Sequence, residues 1–135
     1  MAIKVFLLVT ACVTLQMVAA AKNKGGSSLP TKTFRGDATF TTPGLGACGK
    51  VNREGQLVVA LNRQQYGNFA DSREGPWCGQ CLRVTSDKFG TSVVVEVVDR
   101  AEGREGHIVL SEAAFKKLAS TDEGRINVSY KLVDC

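Results

Sequence analysis

The sequence predicts a small, mainly β protein, closed as a barrel and carrying a single short helix. Three observations lead there. Apolar residues come in short runs of strand length, bounded by Gly, Pro, Asn and Asp. One run, Thr91 to Asp99, holds Val93, Val95 and Val97 on one side and Val94 and Val98 on the other. A strand apolar on both faces belongs in the middle of a sheet or barrel. Finally, only one segment shows the spacing of an amphipathic helix.

The elements follow in chain order. Met1 to Ala21 has a Lys near its start, an apolar run from Val5 to Val9 continuing through Ala11 to Val13, and the small-residue run Ala19-Ala20-Ala21. That is the pattern of a signal peptide, residues 1–21. Thr10, Thr14 and Gln16 interrupt the run, which is too short to span a bilayer comfortably. No later stretch is apolar enough to span one. Residues 22–32 combine Lys, Gly, Ser and Pro with almost nothing apolar, and read as a flexible tail. The folded domain is expected over residues 33–135, enough chain for one core.

Within it, Asp37 to Thr42 is rich in Thr and Phe, and Gly44 to Gly49 is a Gly-rich loop. Leu57 to Leu61 is fully apolar and suits a buried strand. Asn62 to Trp77 reads as a long polar loop. Cys81 to Ser86 and Thr91 to Asp99 flank a hairpin turn, Asp87-Lys88-Phe89-Gly90. Ser111 to Ala119 is the helix: Ser111 caps it, Glu112 suits its first turn, and Phe115, Leu118 and Ala119 share a face. Arg125 to Val133 alternates, with Ile126, Val128, Tyr130 and Leu132 pointing inward.

The cysteines set the compartment. Cys12 leaves with the signal segment, and Cys48, Cys78, Cys81 and Cys135 remain, an even count that reads as two disulfides in an exported chain. Cys78-Gly79-Gln80-Cys81 has the spacing of a zinc or redox motif as well. A zinc site needs a compact four-ligand set, whereas this chain offers one His and scattered cysteines. A redox pair opens a helix, whereas this one leads into the strand-like Leu82 to Thr85. Structural disulfides are the reading taken, with no metal and no cofactor. The formal net charge of +4 is spread among acidic residues, which describes a solvated surface. Neither a nucleic-acid nor a membrane partner is expected, and the chain is expected to act as a monomer.

An ordered series of motifs carries a resemblance. Gly36-Asp37-Ala38-Thr39-Phe40, Gly44 to Gly49, Val58 to Asn62 and Tyr66-Gly67 come first. Cys78 to Cys81, Val97-Val98-Asp99-Arg100, Leu110 to Phe115 and Gly124-Arg125-Ile126 follow. This series resembles the double-psi β-barrel superfamily: barwin-like proteins, the first domain of expansins, loosenins, rare lipoprotein A domains and a secreted papain inhibitor. The resemblance spans nearly all of Phe34 to Cys135. It implies a six-stranded double-psi barrel with an open groove, and the pairings Cys48–Cys78 and Cys81–Cys135. It also implies that Thr39 and Asp99 occupy groove positions. The family's second groove Asp, in a segment H-F-D-L-S, falls on Val109 of His107-Ile108-Val109-Leu110-Ser111.

That departure bears on chemistry. Hydrolysis of a glycosidic bond by the usual route takes two carboxyl groups, one donating a proton and one activating water. Val109 transfers none, and Glu102 and Glu105 lie outside the family positions, so no catalytic residue is assigned. The loop from Ala101 to Gly106 lacks the Cys pair of fungal relatives. Its two glycines and its polar residues suggest a mobile, water-facing segment.

Of the further candidates, Trp77, His107 and Asp99 carry two readings each. Tyr66 and Trp77 offer flat faces for sugar rings, and Trp77 equally suits packing on a disulfide. His107, the only His, is either a pH-sensitive groove residue or a packed residue at a strand edge. Asp99 is either a ligand group or a bond to backbone amides. Asn127-Val128-Ser129 fits the glycosylation sequon.

The expected function is that of a secreted, non-catalytic expansin-like protein. It would bind, and loosen, extracellular polysaccharide such as cellulose, chitin or peptidoglycan. The rival is a secreted inhibitor of papain-like cysteine or subtilisin-like serine proteases, with the 101–106 loop in the protease cleft. A structural matrix component is the third class.

Overall fold

Six strands close on themselves in the computed structural model, which describes residues 29–135. The expected signal segment and most of the expected tail lie outside the described residues. The strands are β1 (Phe34–Thr41), β2 (Val58–Asn62), β3 (Cys81–Ser86), β4 (Ser92–Ala101), β5 (His107–Ser111) and β6 (Ile126–Val133). Around the barrel they run β1-β5-β2-β4-β3-β6, and an antiparallel β1/β6 ladder joins the ends. The β1/β5 and β2/β4 pairs are parallel, and the remaining four are antiparallel. Closure leaves no strand edge unpaired.

The side-chain alternation explains which face each strand buries. Inward residues Val59, Leu61, Leu82, Val84, Val95, Val97, Ile108, Leu110, Val128 and Tyr130 fill the barrel. Burying each such side chain stabilises the fold by roughly 1.5–3 kcal/mol. Helix α2 (Glu112–Leu118) packs Ala114, Phe115 and Leu118 onto this core, with Phe40 tilted against Phe115 at 4.7 Å between ring centroids. Ser111 ends β5 and caps α2: its Oγ accepts from the Ala114 N–H and donates to the Gln56 carbonyl.

Three expectations about this pattern change. Val94, expected to be buried on the second face of β4, is exposed, because only the far end of that face is covered. There the Gly44–Gly49 loop lies over Val98, close enough that a Cβ at Gly46 would stand 2.2 Å from the Val98 carbonyl oxygen. The polar stretch from Asn62 to Trp77 contains a one-turn helix, α1 (Arg63–Tyr66), capped by the Asn62 side chain. The 101–106 loop faces water at Glu102 to Glu105, but Gly106 is buried against β1. A Cβ at Gly36 would sit 1.9 Å from the Gly106 carbonyl oxygen, so only glycine permits that crossing.

Both expected disulfides form. Cys48–Cys78 ties the Gly-rich loop to the segment before β3, and Cys81–Cys135 ties the C-terminus to β3.

Candidate functional site

The register of four neighbouring strands builds a transverse row on the outer face. Thr39 on β1 is level with Val109 on β5, Val109 with Ala60 on β2, and Ala60 with Asp99 on β4. A bulge in the β2/β4 ladder between Val59 and Ala60 brings Asp99 into this row. Strand spacing places Thr39 and Asp99 about 14 Å apart along the sheet, and Val109 and Asp99 about 10 Å apart. Thr39, Val109 and Asp99 are half-buried. Thr41, Gly44, Asn52, Ala60, Asp99 and Val109 line one shallow depression.

Asp99 makes two hydrogen bonds, both on Oδ1: it accepts from the backbone N–H groups of Ala47 and Arg100, each at 2.8 Å. The first holds the Gly-rich loop at the groove wall, which is the backbone-bonding reading of this residue. Oδ2 has no hydrogen-bond partner among the described residues.

A second row lies one step along the strands. His107 on β5 is level with Asp37 on β1, and Asp37 with Asn127 on β6. Here the polar groups are tightly paired. Asp37 is 3% exposed at its side chain, and its carboxylate takes His107 Nδ1 at 3.1 Å, Arg104 at 3.3 Å and Arg125. Burial opposes the charge. Hydrogen bonds from His107 and Arg125, and the charges of both, outweigh it and hold the Asp37 carboxyl below the usual carboxylate range. Nε2 of His107 lies 3.5 Å from Thr39 Oγ1, linking the two rows. Asn62 donates to the backbone carbonyl of His107 at 3.1 Å and to Gln65 Oε1. Tyr130 also donates to Gln65 Oε1, and burial pushes its hydroxyl up to about 12.

The structure therefore brings Thr39, Asp99 and His107 to one face, with Val109 between them. Tyr66 and Trp77 are elsewhere. Tyr66 is 1% exposed, donates its hydroxyl to the Ser72 carbonyl and lies against the Cys48–Cys78 sulfurs. Trp77 is 5% exposed and meets Phe34 edge-on at 6.4 Å, with Phe34 stacked on Tyr130 at 5.5 Å. Both rings belong to the buried core, and neither presents a face to solvent. Asn127 is exposed on β6, away from the depression. Sequence reasoning missed Asp37 as a site residue. A charged residue in the middle of a Thr/Phe-rich strand was the available signal.

Among the described residues no three side chains assemble as a metal site.

Comparison with known proteins places this geometry. The double-psi β-barrel family described as "Lytic transglycolase" matches residues 46–130. Expansin-A26 of Oryza sativa subsp. japonica is 34% identical over 112 residues, covering 76% of this chain and 36% of its own length. The Streptomyces papain inhibitor superposes with a TM-score of 0.71 at 30% identity, covering 78% of this chain and 99% of that one. A mutant Clavibacter michiganensis expansin, solved in complex with cellohexaose, superposes with a TM-score of 0.64 at 31% identity. That match covers 76% of this chain and 50% of the other. The chain thus spans about a third of the rice relative and half of the bacterial expansin.

Proposed function

This chain belongs to the double-psi β-barrel family that joins expansins and lytic transglycolases, and on that premise we propose that it is a secreted protein that binds extracellular polysaccharide without cutting it. The observation that carries the reading is the open row Thr39–Val109–Ala60–Asp99. It pairs a hydroxyl and a carboxylate, both able to bond sugar hydroxyls, with the half-buried Val109 between them, on which a sugar ring can rest, while Ala60 is buried beneath the row. The row has one carboxylate. The two-carboxyl route to hydrolysis lacks its partner at Val109, and no other acidic side chain lies level with Asp99. Two disulfides and the N-terminal sequence pattern support export. Cellulose is supported by the cellohexaose complex of the bacterial expansin. Chitin and peptidoglycan stay within the same chemistry.

One observation favours a second reading. The papain inhibitor is matched over nearly its whole length, so one domain of this size suffices for that protein. In this chain the segment that would enter a protease cleft is the exposed Glu102 to Glu105.

A pull-down on insoluble cellulose, chitin and peptidoglycan, run beside papain and subtilisin inhibition assays, separates the two. The proposal predicts depletion by at least one polymer, weakened by Thr39→Val and by Asp99→Asn, with both proteases fully active. Inhibition without depletion contradicts it.

A further inference from the structure

The chain Asp37–His107–Thr39 runs along the outer face from a covered carboxylate to the half-buried Thr39 of the open row, and neither functional reading accounts for it. Its chemistry is constrained. An ionised carboxylate only accepts hydrogen bonds, so the 3.1 Å contact between Asp37 Oδ2 and His107 Nδ1 places a proton on Nδ1 whatever the charge of the ring. Asp37 is held in its ionised form by Arg104 and Arg125 as well as by the ring. With Nδ1 fixed as the donor, the ring's protonation changes only Nε2, which faces Thr39 Oγ1.

We propose that His107 sets the hydrogen-bonding polarity of Thr39 in the row level with Val109, so that acceptor-only ligand groups such as an N-acetyl carbonyl bind best when the ring is protonated. When the ring is neutral, the Thr39 hydroxyl donates its hydrogen bond to bare Nε2, and Thr39 turns its lone pairs to the ligand. When the ring is charged, Nε2–H donates to Thr39 Oγ1 and the hydroxyl proton is free to point outward. Thr39 then changes from acceptor to donor with no movement of the backbone. A plain glucan presents hydroxyls that both give and take, so it reads either state. An N-acetyl carbonyl takes only the donor state.

The groups facing the ring are few. Asp37 approaches from β1, Arg104 from the loop before β5 and Arg125 from the residue before β6. Gly103 lies against the ring edge, where a Cβ would stand 2.8 Å from His107 Cδ2. On the β2 side Asn62 is neutral and bonds the His107 backbone carbonyl. Glu102 and Glu105 are exposed on the same loop, and Glu102 pairs with Arg63 at 3.9 Å.

The proposal rests on the groove reading above, and its test separates the two. Calorimetric titration with chitohexaose and cellohexaose is run at about pH 5 and about pH 8. Nitrogen NMR of the imidazole is recorded on the same unliganded samples. Expected are chitohexaose binding about tenfold tighter at the lower pH, cellohexaose binding nearly unchanged, and a neutral ring carrying its proton on Nδ1. His107→Gln removes the pH dependence of chitohexaose binding. Asp37→Asn, whose amide can donate to Nδ1, moves the neutral proton to Nε2. A neutral wild-type ring protonated on Nε2 overturns the relay even if sugars bind. Chitohexaose binding that is flat with pH, or equally pH-dependent in His107→Gln, overturns the ligand preference. Absence of binding by either sugar at either pH contradicts the groove reading and the preference together, and the ring nitrogens still decide the relay.

Discussion

Two regions of this barrel drew the same expectation and turned out opposite. Thr39 and Asp99 lie half-buried in an open row across four strands. Tyr66 and Trp77, expected beside them as sugar-stacking rings, are packed inside against Phe34 and the Cys48–Cys78 sulfurs. The difference shows what decides position in a small closed sheet. Strand register fixes the outer row, since alternation sends Ala38 and Leu110 inward and leaves Thr39 and Val109 outward. The aromatic residues sit on connections that no alternation binds, and they go where a large apolar area is most needed.

The comparison breaks most visibly at Trp77. If the ring is core, Trp77→Ala costs roughly 3–5 kcal/mol, a large share of the stability of so small a domain. Denaturant melts read the loss directly. Trp77→Phe, milder in its effect, keeps the fold and leaves polysaccharide depletion at the wild-type level. Normal stability with lost binding in Trp77→Phe would move the ring to the groove and erase the difference between the regions.

The next effect sharpens the groove side by separating its ionic row from its open row. The folded Asp37 carboxyl titrates below its unfolded value, ordinarily about 3.9. Its stabilisation is therefore complete above that value and is lost as the pH falls through the folded one. Charge-assisted hydrogen bonds of this kind contribute about 2 kcal/mol. Wild type is expected to lose stability as acid is added below about pH 4, and Asp37→Asn to start lower by a similar amount and to show a shallower acid limb. Identical acid limbs in the two proteins would show that Asp37 is not the group being titrated.

Much of this was legible in the sequence, and the gaps have physical causes. The alternation of Ile126, Val128 and Tyr130 marked β6 correctly, and Ser111 marked the start of α2. The groove positions Thr39, Asp99 and Val109 came from motif order, and the ladder register then placed them level. His107 to Ser111 shows no alternation that separates it from a loop; it becomes β5 only because β1 and β2 flank it. Helix α1 is a single turn, too short for any periodicity to reveal. Asp37 was hidden for another reason. Its partners Arg104, His107 and Arg125 lie 67, 70 and 88 residues away, and only the closed barrel brings them together.

We propose that the groove holds polysaccharide without cutting it, because by the family resemblance the second groove carboxylate falls on Val109. The direct measurement incubates the wild-type protein with β-glucan, chitin and peptidoglycan. Reducing ends are followed, and soluble products are examined by mass spectrometry so that non-hydrolytic cleavage is seen as well. The account predicts no product with any polymer. Val109→Asp keeps the fold, since position 109 is half-buried on the outer face, and places a carboxylate about 10 Å along the sheet from Asp99. Trace activity in that variant alone agrees with the account. Clear turnover by wild type, abolished in Asp99→Asn, contradicts it and makes this chain a glycan-cleaving enzyme.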